Sequence, residues 1–233
     1  MGSHAGKGSL AAIHTMHTVL LTAPEPTAAA ALQPALAAAL VAVISGADDD
    51  GMPNELILTA MAGLLGRALL CAPLLFRAAL ERATPVLQLA EPHVHFASAW
   101  VAMGDAIVLT AHRKLAALSL ATLVGHDAAL LPLLPEVLSF CVSVLADLPE
   151  CVDANGGLAP SPPTPLAPAA GEHADFARRC AAANLDPLAT LQLRDALQQC
   201  LRRAAEVHGE AFDRTMRELD PSLQQQVQQS FGG

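Results

Sequence analysis

Prolines punctuate this chain, and between them run alanine- and leucine-rich stretches with helical spacing. Pro53, Pro73, Pro92, Pro187 and Pro221 each stand at the start of such a stretch. There a missing N–H costs nothing and a fixed φ suits the first helical turn. Pro24 and Pro26 close the stretch that Ser9 opens. The residues that build strands are scarce. Aromatics make up 3% of the chain, with one Trp and no Tyr, against 53% hydrophobic residues. Much of that apolar content is Ala and Leu, both strong helix formers. The expected class is all-α.

Helices are expected from Ser9 to Leu21, Ala28 to Ile44, Pro53 to Cys71, Pro73 onward, and Pro92 to Ile107. Further ones run from His112 to a Gly125 stop, and from Ala128 to Leu148 behind an Asp127 cap. Leu56, Leu58, Met61, Leu64, Leu65, Leu69 and Leu70 give the third helix a wide apolar stripe. The fourth carries Leu74, Leu75, Phe76 and Leu80. Trp100 reads as a core anchor between two helices. A short helix holding Phe176, Arg178 and Arg179 follows the proline-rich stretch. Asp186 and Pro187 then signal a helix running to Gly209, with two short ones over 210–219 and 221–231.

Residues 58–76 and 112–138 share a pattern: a small-residue helix, a short turn, then a proline-containing apolar helix. Helix pairs repeating at about forty residues match HEAT and armadillo arrays, whose units must stack to bury their faces. The expected architecture is an α-solenoid of HEAT-like helical repeats over 9–150. A disordered Pro/Gly-rich loop over 151–171 follows, then a C-terminal helical cap over 172–231. The face of 28–44 is expected to receive further repeats.

Charge narrows the function. Up to position 150 the chain has 6 basic and 12 acidic residues, and 7 and 10 after it, for a net -9. Neither half offers the basic face that nucleic acid requires. A basic protein partner fits better. Five cysteines in no CxxC arrangement suggest neither a disulfide framework nor a zinc site, and a reducing compartment. The N-terminus lacks the pattern of a signal peptide. Residues 27–47 are uncharged and long enough to span a membrane, but alanine, Gln33 and Pro34 make their transfer poor. A buried helix is expected there, with no membrane insertion.

The segments LLGRALL (64–70), FASAWVAMGDAI (96–107) and HRKLAALSLATLV (112–124) resemble the last HEAT repeats of importin-beta family nuclear transport receptors, in the importin eleven branch. There, a Trp-containing helix precedes a turn and a helix that opens Arg-Lys-Leu, matched here by Trp100, Arg113, Lys114 and Leu115. The tail over 185–231 is similar to that branch's C-terminus in its Asp-Pro start, the Gly209, Glu210, Phe212 turn and its glutamine-rich last helix. The resemblance implies a non-enzymatic, cofactor-free carrier of protein cargo between cytoplasm and nucleus. It implies phenylalanine-glycine nucleoporins at the nuclear envelope as partners. Ran GTPase binding is expected of N-terminal repeats outside this chain. A HEAT-repeat scaffold for a kinase or phosphatase complex is the alternative.

No GxSxG, P-loop or GxGxxG pattern occurs, and Asp48 to Asp50 lack the spacing of a calcium loop. His14 and His17 share a helix face without a third ligand, and no metal is expected. His93 and His95 read as helix-start residues. If the second helix of each repeat lines a cargo surface, Glu136, Asp147 and Glu150 are its acidic contacts.

Overall fold

The computed structural model describes residues 3–46, 54–147, 186, 188 and 191–231. Among these are ten α-helices and no strand. They are α1 (Ser3–Thr22), α2 (Glu25–Ser45), α3 (Glu55–Cys71), α4 (Pro73–Leu87) and α5 (Pro92–Ala102). Then come α6 (Thr110–Val124), α7 (Leu134–Asp147), α8 (Leu193–His208), α9 (Glu210–Glu218) and α10 (Pro221–Phe231). The expected loop over 151–171, the helix around Phe176 and most of the acidic turn at 47–51 lie outside the described residues.

The helices form two layers. In one, α1 packs on α3, α3 on α6 and α6 on α8; in the other, α2 packs on α4 and α5, α5 on α7 and α7 on α10. The pairs α1–α2, α3–α4 and α6–α7 tie the layers together. Each helix meets its neighbours in the series, as a solenoid requires. The last helices extend both layers: α8 covers α6, and α10 covers α7.

Local chemistry explains the starts. Asn54 is extended, and its Oδ1 accepts a hydrogen bond from the N–H of Ile57 at 3.3 Å. That satisfies one of the four orphan donors at the head of α3. Asn54→Ala is expected to cost about 1 kcal/mol, read as a lower urea midpoint with an unchanged slope. α2 runs through Pro34, and Gln33 Nε2 donates to the Ala78 carbonyl of α4 at 3.4 Å. The two residues that interrupt the apolar stretch thus lie inside a packed helix. Two stretches, Pro26–Ser45 and Ala128–Asp147, are long and apolar enough by length and composition to cross a membrane. In the fold they direct Leu36, Leu40 and Val43, and Leu134, Leu138 and Val144, into the core.

The centre of the core is aromatic. Phe76, Phe96 and Trp100 are buried, with ring centroids 5.9 Å apart for the first pair and 5.2 Å for the second. Trp100 ends against Gly66 of α3. A Cβ at Gly66 would overlap the Trp100 ring and lie 2.7 Å from Ser119 Oγ of α6. Three helices therefore converge where only a hydrogen fits.

Four local expectations differ. Gly125 closes α6 in a right-handed conformation, φ -67°, rather than a left-handed one. Its smallness serves the approach of α8, for a Cβ there would meet the Cys200 carbonyl oxygen at 3.4 Å. Asp127 does cap the next segment, accepting from the Ala129 N–H at 2.9 Å. That segment starts as a 3₁₀ turn over Ala128–Leu133 before α7, since Pro132 removes a donor and bars its predecessor from ordinary helix. Leu56 and Leu74, placed on apolar stripes from sequence, are exposed first-turn residues. Finally, Leu188 is helical, but 191 and 192 are not, and the long helix starts afresh at Leu193.

Candidate protein-interaction surface

The acidic residues expected to meet a partner fall on α7. Glu136, Phe140, Ser143 and Asp147 follow spacings of four, three and four residues, which puts them on one stripe. Glu136 and Asp147 are exposed; Glu150 lies outside the described residues. Arg113 reaches across from α6. Its Nη2 donates to Ser143 Oγ at 2.5 Å and lies 3.2 Å from Asp147 Oδ2, with the guanidinium 5.4 Å from the centre of the Phe140 ring. The charge of Asp147 is thus answered within the chain. Glu136 forms no ion pair among the described residues. The stripe presents one free carboxylate beside a half-covered aromatic ring and an immobilised guanidinium.

A second polar cluster lies on the first layer. Arg67, on the small-residue helix α3, is buried, and its Nη1 lies 2.7 Å from Asp186 Oδ1. Asp186 Oδ1 also accepts from the Leu188 N–H at 3.0 Å. Lys114 of α6 donates from Nζ to the carbonyls of Leu188 at 2.6 Å and Leu191 at 2.5 Å. Two cations therefore hold the segment that leads into α8. Arg67 Nε and His17 Nδ1 have no hydrogen-bond partner among the described residues.

His17 adjoins this cluster from α1. Burial first, then the charge of Arg67 and the neighbouring His112 and His14, push its pKa down to about 3, against a smaller opposing pull from Asp186. The unfolded chain takes up a proton at His17 near pH 6.5, whereas the folded one does so only near pH 3. Stability is therefore lost as pH falls through that window and is unaffected above it. His17→Gln is expected to flatten the acid-side fall in urea midpoint, compared at the two ends of the window. Parallel curves for the two proteins would contradict this.

Other polar contacts fasten the array. His93 Nε2 lies 2.6 Å from Asp127 Oδ2, joining α5 to the turn before α7. His208 Nε2 lies 3.0 Å from the Val124 carbonyl at the end of α6, where an imidazole serves an orphan acceptor. Of the two histidines read as helix-start residues, His93 thus joins elements, while His95 is exposed. Among the described residues no three His, Cys, Asp or Glu side chains are placed to hold a metal ion. Cys71, Cys141 and Cys200 are free thiols.

Comparison with known proteins decides the family. Residues 3–232 match the family described as importin-11-like, TPR repeats. The chain belongs to that family. No curated protein and no solved structure matches it. The likeness seen in the Trp-containing and Arg-Lys segments thus extends over almost all of this importin-11-like chain, including 3–54, where only helical pattern was legible. The family description classes its repeats as TPR, which like HEAT units are stacked helix pairs. The Arg-Lys pair of the chain divides its labour. Arg113 braces the α7 stripe, and Lys114 holds the segment entering α8. Sequence missed that division, and it missed Arg67 inside an otherwise apolar helix. An arginine flanked by Leu65, Gly66 and Ala68 was the available signal.

Proposed function

We propose that this chain is part of a nuclear import receptor and contributes protein cargo contacts, moving between cytoplasm and nucleus. The family match over residues 3–232 carries the reading. The two-layer array supports it, since stacked helix pairs offer extended surfaces to protein partners. Within that surface the α7 stripe is the cargo contact, with Glu136 meeting a basic side chain and Asp147 held back by Arg113. Nucleoporins and Ran are partners of the whole receptor.

The test is made in cells that produce the protein. Loss of its gene should lower the nuclear share of a defined set of proteins, and the wild-type gene should restore it. Glu136→Lys should restore it incompletely, more so for basic cargo. A tagged copy should appear in both compartments and at the nuclear envelope. If no protein changes compartment and one enzyme complex falls apart instead, the scaffold reading takes over.

A further inference from the structure

The segment that Arg67 and Lys114 hold has the chemistry of a bound peptide. Its carboxylate, Asp186, goes to a buried guanidinium. Its carbonyls at 188 and 191 go to one ammonium. Leu188 is buried against the array, while Leu191 is exposed. Beside them a groove of about 290 Å³ remains, lined by Leu70, Leu118, Leu188, Leu191, Cys200 and Arg203. The fit is incomplete in an informative way. Arg67 is 9% exposed, yet the approach of Asp186 leaves its Nε unsatisfied and its Nη1 without an aligned hydrogen bond. A planar guanidinium is best met by a carboxylate that takes two parallel N–H groups. Two cations facing one carboxylate favour an acidic guest further.

We propose that the groove between α3, α6 and α8 is a peptide-binding site for a partner segment of the pattern Asp-x-Leu-x-x-Leu, and that Asp186, Leu188 and Leu191 of this chain stand in for it in competition with that partner. The cis segment is a tethered stand-in. A partner carboxylate that reaches Arg67 in bidentate fashion displaces Asp186, and a leucine or larger apolar residue takes the unfilled groove. The inference rests on the groove and not on the import reading. It stands if nuclear import is unaffected by the gene.

The probe is a fluorescein-labelled peptide of residues 184–192, titrated by anisotropy into the full chain. Being on the same chain gives the cis segment an effective concentration on the order of millimolar, so a site of about 0.1 mM intrinsic affinity is masked roughly tenfold. The variant Asp186→Ala with Leu188→Ala should therefore bind the peptide about tenfold more tightly than wild type. Adding Arg67→Ala should abolish that binding, as should asparagine in place of the peptide's aspartate. Equal binding by wild type and variant, or indifference to the asparagine, overturns the proposal. Should the variant fail to fold, hydrogen exchange on the wild-type chain decides. Millimolar peptide should accelerate exchange in the segment around Leu188 and Leu191 by displacing it, and unchanged exchange overturns the proposal. A peptide-induced dimer seen by light scattering would mean exchange of the segment between copies, which also overturns it.

Discussion

Gly66→Ala should destabilise the protein by about 2 kcal/mol, although the same change in most helices stabilises. Alanine returns about 1 kcal/mol of helix propensity over glycine. Here the new methyl has nowhere to go. It would overlap the Trp100 ring and crowd Ser119 Oγ at 2.7 Å. Trp100 is packed against Phe96, and Ser119 is tied to the Leu115 carbonyl at 2.8 Å. Neither is a loose side chain that can swing aside. Overpacking a dense core costs about 1–3 kcal/mol and outweighs the propensity gain. The cause is checked by a double-mutant cycle with Trp100→Phe, which removes the outer ring carbons that the methyl would strike. In that background only the Ser119 contact remains, so Gly66→Ala should cost about 1 kcal/mol, giving a coupling of about 1 kcal/mol between the sites. Additive effects in urea denaturation would refute the packing described here.

Arg67→Ala should cost about 2–3 kcal/mol, somewhat below the usual range for breaking a buried ion pair. The discount reflects Asp186, whose side chain keeps 20% of its exposure. The loss comes less from forfeited attraction than from the carboxylate left without its cation. The prediction has a second arm for that reason. Arg67→Met combined with Asp186→Asn removes both charges and keeps much of the volume, so it should recover most of the loss. Lys114 continues to hold the carbonyls of residues 188 and 191 in each protein. If the double variant is as weak as Arg67→Ala, the guanidinium contributes through packing rather than through Asp186.

The legible part of this fold was its punctuation. Asn54 and Pro73 marked helix starts that the structure retains, and the Ala-Leu periodicity led to the two stacked layers. What escaped sequence reading depended on contacts distant along the chain. Gly125 looked like a left-handed stop because its neighbours are helical. Its role is set by the Cys200 backbone, which no local pattern announces. Asp186 announced a helix cap and does accept a backbone N–H, but its second partner is Arg67, far upstream. The acidic trio was chosen by layer alone. Layer placed Glu136 and Asp147 on one stripe, yet it gave no hint that Arg113 would claim Asp147. Charge and spacing along one helix are local properties. Which carboxylate stays free is decided by the helix next to it.

The lone tryptophan of this chain lies, 1% exposed, at the junction of α3, α5 and α6, and there is no tyrosine. Its emission therefore reports on a single interior point of a long array. It should be blue-shifted in the native state and insensitive to events at either end. Fraying of α1 or release of α10 would pass unseen by fluorescence while far-ultraviolet circular dichroism falls. Disagreement between those two signals during denaturation would measure directly how far the repeats melt one by one.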